Sequence, residues 1–130
     1  MCVFCKIING EIPSKKVYED DDVLAILDIS QATMGHTLVL PKKHYANILE
    51  IPSIEYQKVM IKTKELAEKI NKNLKPQGIN ILNNCGEVAG QTVMHYHVHI
   101  LPRYTTNDIK IEFTDHSSTA NLDDVLNKLK

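Results

Sequence analysis

The segment His95-Tyr96-His97-Val98-His99-Ile100-Leu101 restricts what this chain can fold into more than any other. Polar and apolar residues alternate one for one, which is the period of an extended strand and not of a helix. A strand over Thr92–Leu101 puts His95, His97 and His99 on one face and Tyr96, Val98 and Ile100 on the other. The apolar face needs a core beneath it, and the histidine face is left for chemistry. At about 3.3 Å of rise per residue, neighbouring imidazoles in the row stand roughly 6–7 Å apart at Cα. Two of them can share one metal ion. Placing all three on one ion is geometrically awkward, so at least one imidazole stays free. Several imidazoles beside one groove suit an anionic substrate and nucleophilic or acid–base chemistry near neutral pH.

Further strands are expected at Val17–Glu19, Val23–Ile29, His36–Leu40, Ile79–Leu82 and Ile109–Phe113. Asp20-Asp21-Asp22, Gly35 and Pro41 punctuate them. Tyr56, Val59, Met60, Leu66, Ala67, Ile70 and Leu74 recur at spacings that draw one apolar stripe along a helix. Ser53 is expected to cap that helix, and Pro76 and Gly78 to end it. A helical turn is expected over His44–Leu49 and a short terminal helix over Asn121–Lys130. Strands interrupted by a single long helix predict an α+β domain with a mostly antiparallel sheet. A doubly wound fold would need more alternating helices.

The chain has 130 residues, enough for one domain spanning 1–130. Lys and Arg number 15 against 16 Asp and Glu, so the basic excess typical of phosphate-backbone binding is missing. No specific nucleic acid is therefore expected as a partner, and any bound anion must be held by a local site. No apolar run reaches the roughly 20 residues of a membrane span. The first residues lack a basic stretch followed by an apolar one, so no secretory signal is expected. Three cysteines are too few for a disulfide framework, which points to a reducing, cytoplasmic setting.

The loop Asn84-Cys85-Gly86-Glu87-Val88-Ala89-Gly90-Gln91-Thr92 precedes the histidine row. Gly86 and Gly90 let the backbone approach a ligand closely. Gln91 and Thr92 add an amide and a hydroxyl, donors that can face phosphate oxygens. An ordinary turn is the competing reading. No P-loop or GxGxxG is present, so nothing supports an NTPase or a dinucleotide oxidoreductase. Cys2-x-x-Cys5 has the spacing of a metal knuckle or a redox pair. The redox reading is poor, because such pairs sit between a strand and a helix start. Zinc needs two further ligands, available from His36, His44, His95, His97, His99 and His116, and local spacing does not choose among them.

The run Gly90-Gln91-Thr92-Val93-Met94-His95-Tyr96-His97-Val98-His99-Ile100-Leu101 resembles the signature of the histidine triad (HIT) superfamily. Phe4-Cys5-Lys6-Ile7-Ile8, Glu11-Ile12-Pro13, Leu27-Asp28-Ile29 and Gly35-His36-Thr37-Leu38-Val39-Leu40-Pro41-Lys42-Lys43-His44 resemble the rest of the pattern, in order. The match runs from residue 2 to about 104 and leaves a tail, about 105–130, outside it. Bacterial-type HIT proteins and the Hint branch are the nearest in pattern.

This resemblance implies a HIT-like α+β domain with a five-stranded, mostly antiparallel sheet, one long helix and short flanking helices, commonly a homodimer. It implies hydrolysis or transfer at the α-phosphate of a nucleoside 5′-phosphoramidate through a nucleotidyl-histidine. The alternatives are a dinucleoside polyphosphate hydrolase, or a nucleotide-binding scaffold with incidental catalysis. Carried over by position, His97 is the nucleophile, with His99 and His36 as its partners. Asn84, Gln91 and Thr92 lie on the phosphate side, and Thr92 stands where many Hint-like members have Ser. Asp28 is the ribose-binding carboxylate, a group able to accept from paired hydroxyls. Phe4, Ile7, Leu27 and Leu38 line a pocket for a purine base, as in AMP or GMP. In zinc-binding members the ligands match Cys2, Cys5, His44 and His95, a full set of four that makes the ion structural. No organic cofactor is implied, and His116 has no assigned role.

Overall fold

A computed structural model describes residues 1–130. The short helix α1 (Val3–Ile8) leads into β1 (Lys16–Glu19), β2 (Val23–Leu27) and β3 (Thr37–Pro41). The long helix α2 (Ser53–Leu74) follows, then β4 (Gly78–Leu82), β5 (Val98–Arg103) and α3 (Leu122–Leu129). The strands form one five-stranded sheet in the order β1-β2-β3-β5-β4, antiparallel at every pairing. The architecture is α+β, as the strand-and-helix pattern requires.

The β1–β2 turn rests on Asp20, whose Oδ1 accepts from the backbone N–H of Asp22 at 2.8 Å and of Val23 at 2.7 Å. Alternation then sorts each strand between two layers. Val23 and Ala25 of β2, Val39 of β3 and Val98 and Ile100 of β5 pack with Val59, Leu66 and Ile70 of α2. Leu24 and Ile26 of β2 and Leu38 and Leu40 of β3 face the other way and pack with Phe4 of α1. Both faces of β2 and β3 are thus covered, so these strands read as unbroken apolar runs rather than as alternating ones. Burying each such side chain contributes roughly 1.5–3 kcal/mol.

Five local expectations are corrected. Pro52, not Ser53, occupies the N-cap of α2, and Ser53 is its first residue. Proline offers no side-chain acceptor; the helix instead opens with the Tyr56 N–H donating to the Pro52 carbonyl at 2.9 Å. His36–Leu40 becomes Thr37–Pro41, and Val23–Ile29 stops at Leu27. The residues that follow Leu27 form a loop that bends back onto His36. Ile109–Phe113 is not a strand, and Ile111 and Phe113 lie exposed. Upstream of it the Asp108 carboxylate gathers the Tyr104 N–H (2.7 Å), the Thr105 N–H (3.2 Å) and the Arg103 guanidinium, which turns the chain out of the sheet.

The fifth correction concerns the histidine row. The paired strand begins at Val98, so His95 and His97 precede it. The Tyr96 N–H is drawn to the Tyr45 carbonyl at 2.6 Å, away from the ladder. The chain bends over residues 93–95, yet Tyr96, Val98 and Ile100 share the α2-side core as the alternation requires. α2 ends where Lys75 adopts a left-handed conformation (φ 53°, ψ 51°), just before Pro76. No helix is long and apolar enough to cross a membrane.

Candidate active site and metal centre

α1 begins with Cys2 as its N-cap, and the Cys2 Sγ accepts the Cys5 N–H at 3.3 Å. One helical turn therefore presents both sulfurs together, 3.3 Å apart. His44, beyond the end of β3, and His95, ahead of β5, complete the cluster. Cys2 Sγ lies 3.6 Å from His44 Nδ1 and 3.5 Å from His95 Nδ1. Cys5 Sγ lies 3.4 Å and 3.6 Å from the same atoms, and the two Nδ1 atoms are 3.1 Å apart. His95 donates from Nε2 to the Pro41 carbonyl at 2.8 Å. That bond places the ring proton on Nε2 and turns the Nδ1 lone pair toward the sulfurs, the usual support for a ligating imidazole. Burial pushes the Cys5 thiol pKa up, and the neighbouring Cys2 adds to it. A cation between the sulfurs reverses that tendency. Two sulfurs and two imidazole nitrogens within 4.8 Å of one another suit tetrahedral zinc.

Phe4 couples this cluster to the next residue of the row. Its ring meets His95 edge-on at 5.9 Å and His97 edge-on at 5.0 Å between centroids. His97 is buried and donates from Nδ1 to the His95 carbonyl at 2.7 Å. The hydrogen-bond network thereby assigns its proton to Nδ1 and a free lone pair to Nε2. Burial lowers the His97 pKa, which favours the neutral ring. Burial holds His99 down to about 4, with His97 and His36 adding to the effect.

His36 and His99 meet through Nε2 and Nδ1 at 2.9 Å. The Ala32 N–H donates to His36 Nδ1 at 3.2 Å, which assigns the His36 proton to Nε2 and points it at His99 Nδ1. A neutral His99 must then carry its own proton on Nε2. Burial lowers the His36 pKa, against the opposing pull of the Asp28 carboxylate and of the Ser30 backbone; the Asp28 Oδ2 stands 3.6 Å from His36 Nε2. Asp28, His36 and His99 also bring three ligand atoms within 4.8 Å. The His36–His99 hydrogen bond and the nearby Asp28 carboxylate make the same three groups a hydrogen-bond relay.

A cavity of about 210 Å³ brings together Phe4, Ile7, Leu27, Leu38 and Asp28. Val3, Ile12, Pro13, Ser14, Ile26 and Ile29 also line it. Ile12 and Pro13 come from the loop after α1, and no local periodicity marked them for this place. The cavity adjoins the row, because Leu38 pairs with His99 and Phe4 touches His97.

The glycine loop differs from its sequence reading in one respect. Gln91 is buried, and its amide donates to the carbonyls of Ala46 (2.7 Å) and Val93 (3.0 Å) and accepts the Gly86 N–H at 2.8 Å. Both of its N–H groups are taken up by backbone, so it ties the loop to the His44 segment instead of offering free donors. Gly86 and Gly90 have φ of 91° and 95°, values that favour glycine. Thr92 is exposed, and Asn84 reaches the Gly90 carbonyl at 3.4 Å. Asn83, unmarked in the sequence reading, donates to the His97 carbonyl at 2.9 Å. His116 lies in the exposed tail.

An apolar cavity with a carboxylate at its side, a buried histidine pair and a four-ligand sulfur–nitrogen cluster thus lie next to one another, and the donor set of the last suits a metal ion. A family model described as HIT domain matches residues 9–106. An uncharacterised HIT-like protein of Methanocaldococcus jannaschii is 49% identical over 130 residues, covering 100% of this chain and 99% of that one. Adenylylsulfatase HINT3 of Arabidopsis thaliana is 43% identical over 102 residues, covering 78% of this chain and 52% of that protein. A crystal structure of a HIT family protein from Bacillus anthracis superposes with a TM-score of 0.91 at 43% identity, covering 98% and 92% of the two chains. A Zn-bound histidine triad family protein from Mycobacterium smegmatis superposes with a TM-score of 0.79 at 35% identity, covering 90% and 86%. The chain belongs to the HIT family.

Proposed function

We propose that this protein is a nucleotide hydrolase that cleaves nucleoside 5′-phosphoramidates at the α-phosphate, with His97 as the nucleophile. The observation that carries this reading is the opposite polarity of two neighbouring rings. His97 offers a lone pair at Nε2, while His99, whose ring centroid is 5.0 Å away, offers an N–H at Nε2. A phosphate between them is attacked by the first and held at an oxygen by the second. The His97–phosphorus bond forms as the phosphorus–nitrogen bond breaks, and the departing nitrogen takes a proton from solvent. The His97 ring becomes cationic, and its Nδ1–H remains on the His95 carbonyl, which stabilises that charge. Water then attacks phosphorus as the histidine–phosphorus bond breaks, releasing neutral His97 and the nucleoside monophosphate, while the proton lost by the water goes to solvent. The adenylylsulfatase name of one relative supports nucleotidyl chemistry. His36 supports His99, and Asn84 and Thr92 complete the phosphate side.

Asp28 takes the ribose hydroxyls, and the cavity between Phe4, Ile7, Leu27 and Leu38 takes a purine base. Cys2, Cys5, His44 and His95 hold Zn²⁺, as the donor set and the zinc-bound relative support. The ion would cross-link α1 to the segments before α2 and before β5; four protein ligands give it a structural role. A homodimer is supported by the free edge of β4, where Ile81 and Leu82 stand exposed. Only three cysteines, two of them assigned to zinc, support a reducing, cytoplasmic setting.

The test presents purified protein with an AMP phosphoramidate and, separately, with a dinucleoside polyphosphate. Wild type is expected to turn over the phosphoramidate faster and to accumulate a nucleotidyl adduct, seen by mass spectrometry after acid-free quenching. His97→Ala is expected to lose both turnover and adduct. Equal turnover by the two proteins would remove His97 from the mechanism, and faster cleavage of the polyphosphate would change the substrate class.

A further inference from the structure

The loop from Asp28 to His36 carries two of the residues that converge on the relay, and a third residue holds it in shape. The loop's ends are joined by the Asp28 N–H donating to the His36 carbonyl at 3.0 Å. The Gln31 side chain lies across this junction. Its Nε2 donates to the Asp28 carbonyl at 2.6 Å and to the His36 carbonyl at 2.8 Å, and its Oε1 accepts the Gly35 N–H at 2.8 Å. Gln31 is exposed, yet both amide hydrogens and its oxygen are engaged by backbone from its own loop. An exposed amide with no structural task ordinarily bonds to water.

The residue that follows shows what this arrangement serves. Ala32 directs its N–H at His36 Nδ1, 3.2 Å away. That contact is possible only while the loop holds Ala32 under the ring. With the N–H in place, a proton on His36 Nδ1 would set two donors against each other. His36 therefore keeps its proton on Nε2, and the 2.9 Å bond to His99 Nδ1 runs from His36 to His99. The same logic then fixes His99 as a donor at its outward nitrogen.

We propose that Gln31 is a positioning residue: by closing the Asp28–His36 loop it holds Ala32 against His36 and so sets the tautomers of both His36 and His99. Without it, His36 is free to carry its proton on Nδ1, and His99 then faces the substrate with a lone pair rather than an N–H. A phosphate oxygen acquiring charge would meet an acceptor in place of a donor. Substrate binding in the apolar cavity depends little on this choice, so the defect falls on kcat more than on KM. The catalytic consequence rests on the nucleotide-hydrolase reading, whereas the tautomer assignment does not.

The experiment labels histidine with ¹⁵N and reads each ring by two-bond ¹⁵N–¹H correlation at pH 7.5, with assignments from His36→Ala and His99→Ala. In the wild type, His36 and His99 are expected to carry the proton on Nε2, and His97 on Nδ1. Gln31→Met keeps the length and removes the hydrogen bonds. Gln31→Glu keeps the acceptor for Gly35 and places a carboxylate against two carbonyls. Both variants are expected to show His36 as a tautomer mixture, with kcat lowered about tenfold or more and KM within about threefold. His97 is expected to stay on Nδ1 in both, because its carbonyl partner lies outside the loop. An unchanged His36 pattern in either folded variant would overturn the proposal, as would a wild-type His36 protonated on Nδ1. If Gln31→Met fails to fold, Gln31→Glu decides. A wild type inactive on phosphoramidates would refute the hydrolase reading while leaving the tautomer result to stand alone.

Discussion

Lowering the pH should destabilise this fold through His99, and the size of the effect follows from its surroundings. Burial among His97 and His36 holds the folded His99 pKa to about 4, against 6.5 for an ordinary histidine. Between these values the unfolded chain binds a proton that the folded chain refuses. Stability therefore falls as pH falls through this window, with a limiting slope of about 1.4 kcal/mol per pH unit. From pH 7 to pH 5 the ceiling for one such residue is about 2 kcal/mol. His99 is only half-buried, so solvent screening reduces the expected figure to about 1 kcal/mol. His36, His95 and His97 shift the same way, so the wild type alone cannot isolate His99. His99→Asn removes the titration and keeps a polar side chain. Urea unfolding at pH 7 and pH 5 should show the wild-type midpoint dropping about 0.5 M further than that of the variant. Equal drops in the two proteins would refute the claim that His99 is held neutral by burial.

Leu40→Ala, at a fully buried position of β3, should cost about 2–5 kcal/mol, measured by urea unfolding, because the Phe4 side of the sheet cannot close over the gap. Gly35→Ala should destabilise by about 1–3 kcal/mol in the same assay: φ there is 95°, and a methyl would run into Leu74 and approach Pro102 at 3.2 Å. Cys5→Ser should lower bound zinc by metal analysis and reduce the thermal midpoint, whereas Cys85→Ser should leave zinc content unchanged. Replacing Ile81 with Lys on the β4 edge should shift light-scattering mass toward the monomer if β4 joins two copies.

Much of the frame was legible in the residues because periodicity reports local geometry. The one-for-one alternation around His97 required extended backbone, and the stripe from Tyr56 to Leu74 required a helix. Cys2 and Cys5 were readable from their spacing as a metal knuckle or a redox pair, and the turn of α1 brings their sulfurs together. Other features misled for equally local reasons. Ser53 has the chemistry of a helix cap, but the cap falls one residue earlier, at Pro52, and Ser53 is already the first helical residue. Ile109–Phe113 has strand-like residues, but the Asp108 turn leads it away from any partner strand.

The roles of the histidines divide along the same line. Alternation by itself determined that His95, His97 and His99 share a side, because side-chain direction in extended backbone depends only on parity. Only the tertiary structure decided which nitrogen of each ring carries the proton. Pro41 sets His95, the His95 carbonyl sets His97, and Ala32 sets His36 and through it His99. It also decided that Gln91 braces a loop, and it brings to the cysteines the His44 that the family resemblance implied and local spacing could not choose. Periodicity carries no information on such choices. A hydrogen bond depends on where a distant donor or acceptor comes to rest, and that position exists only once the chain has packed.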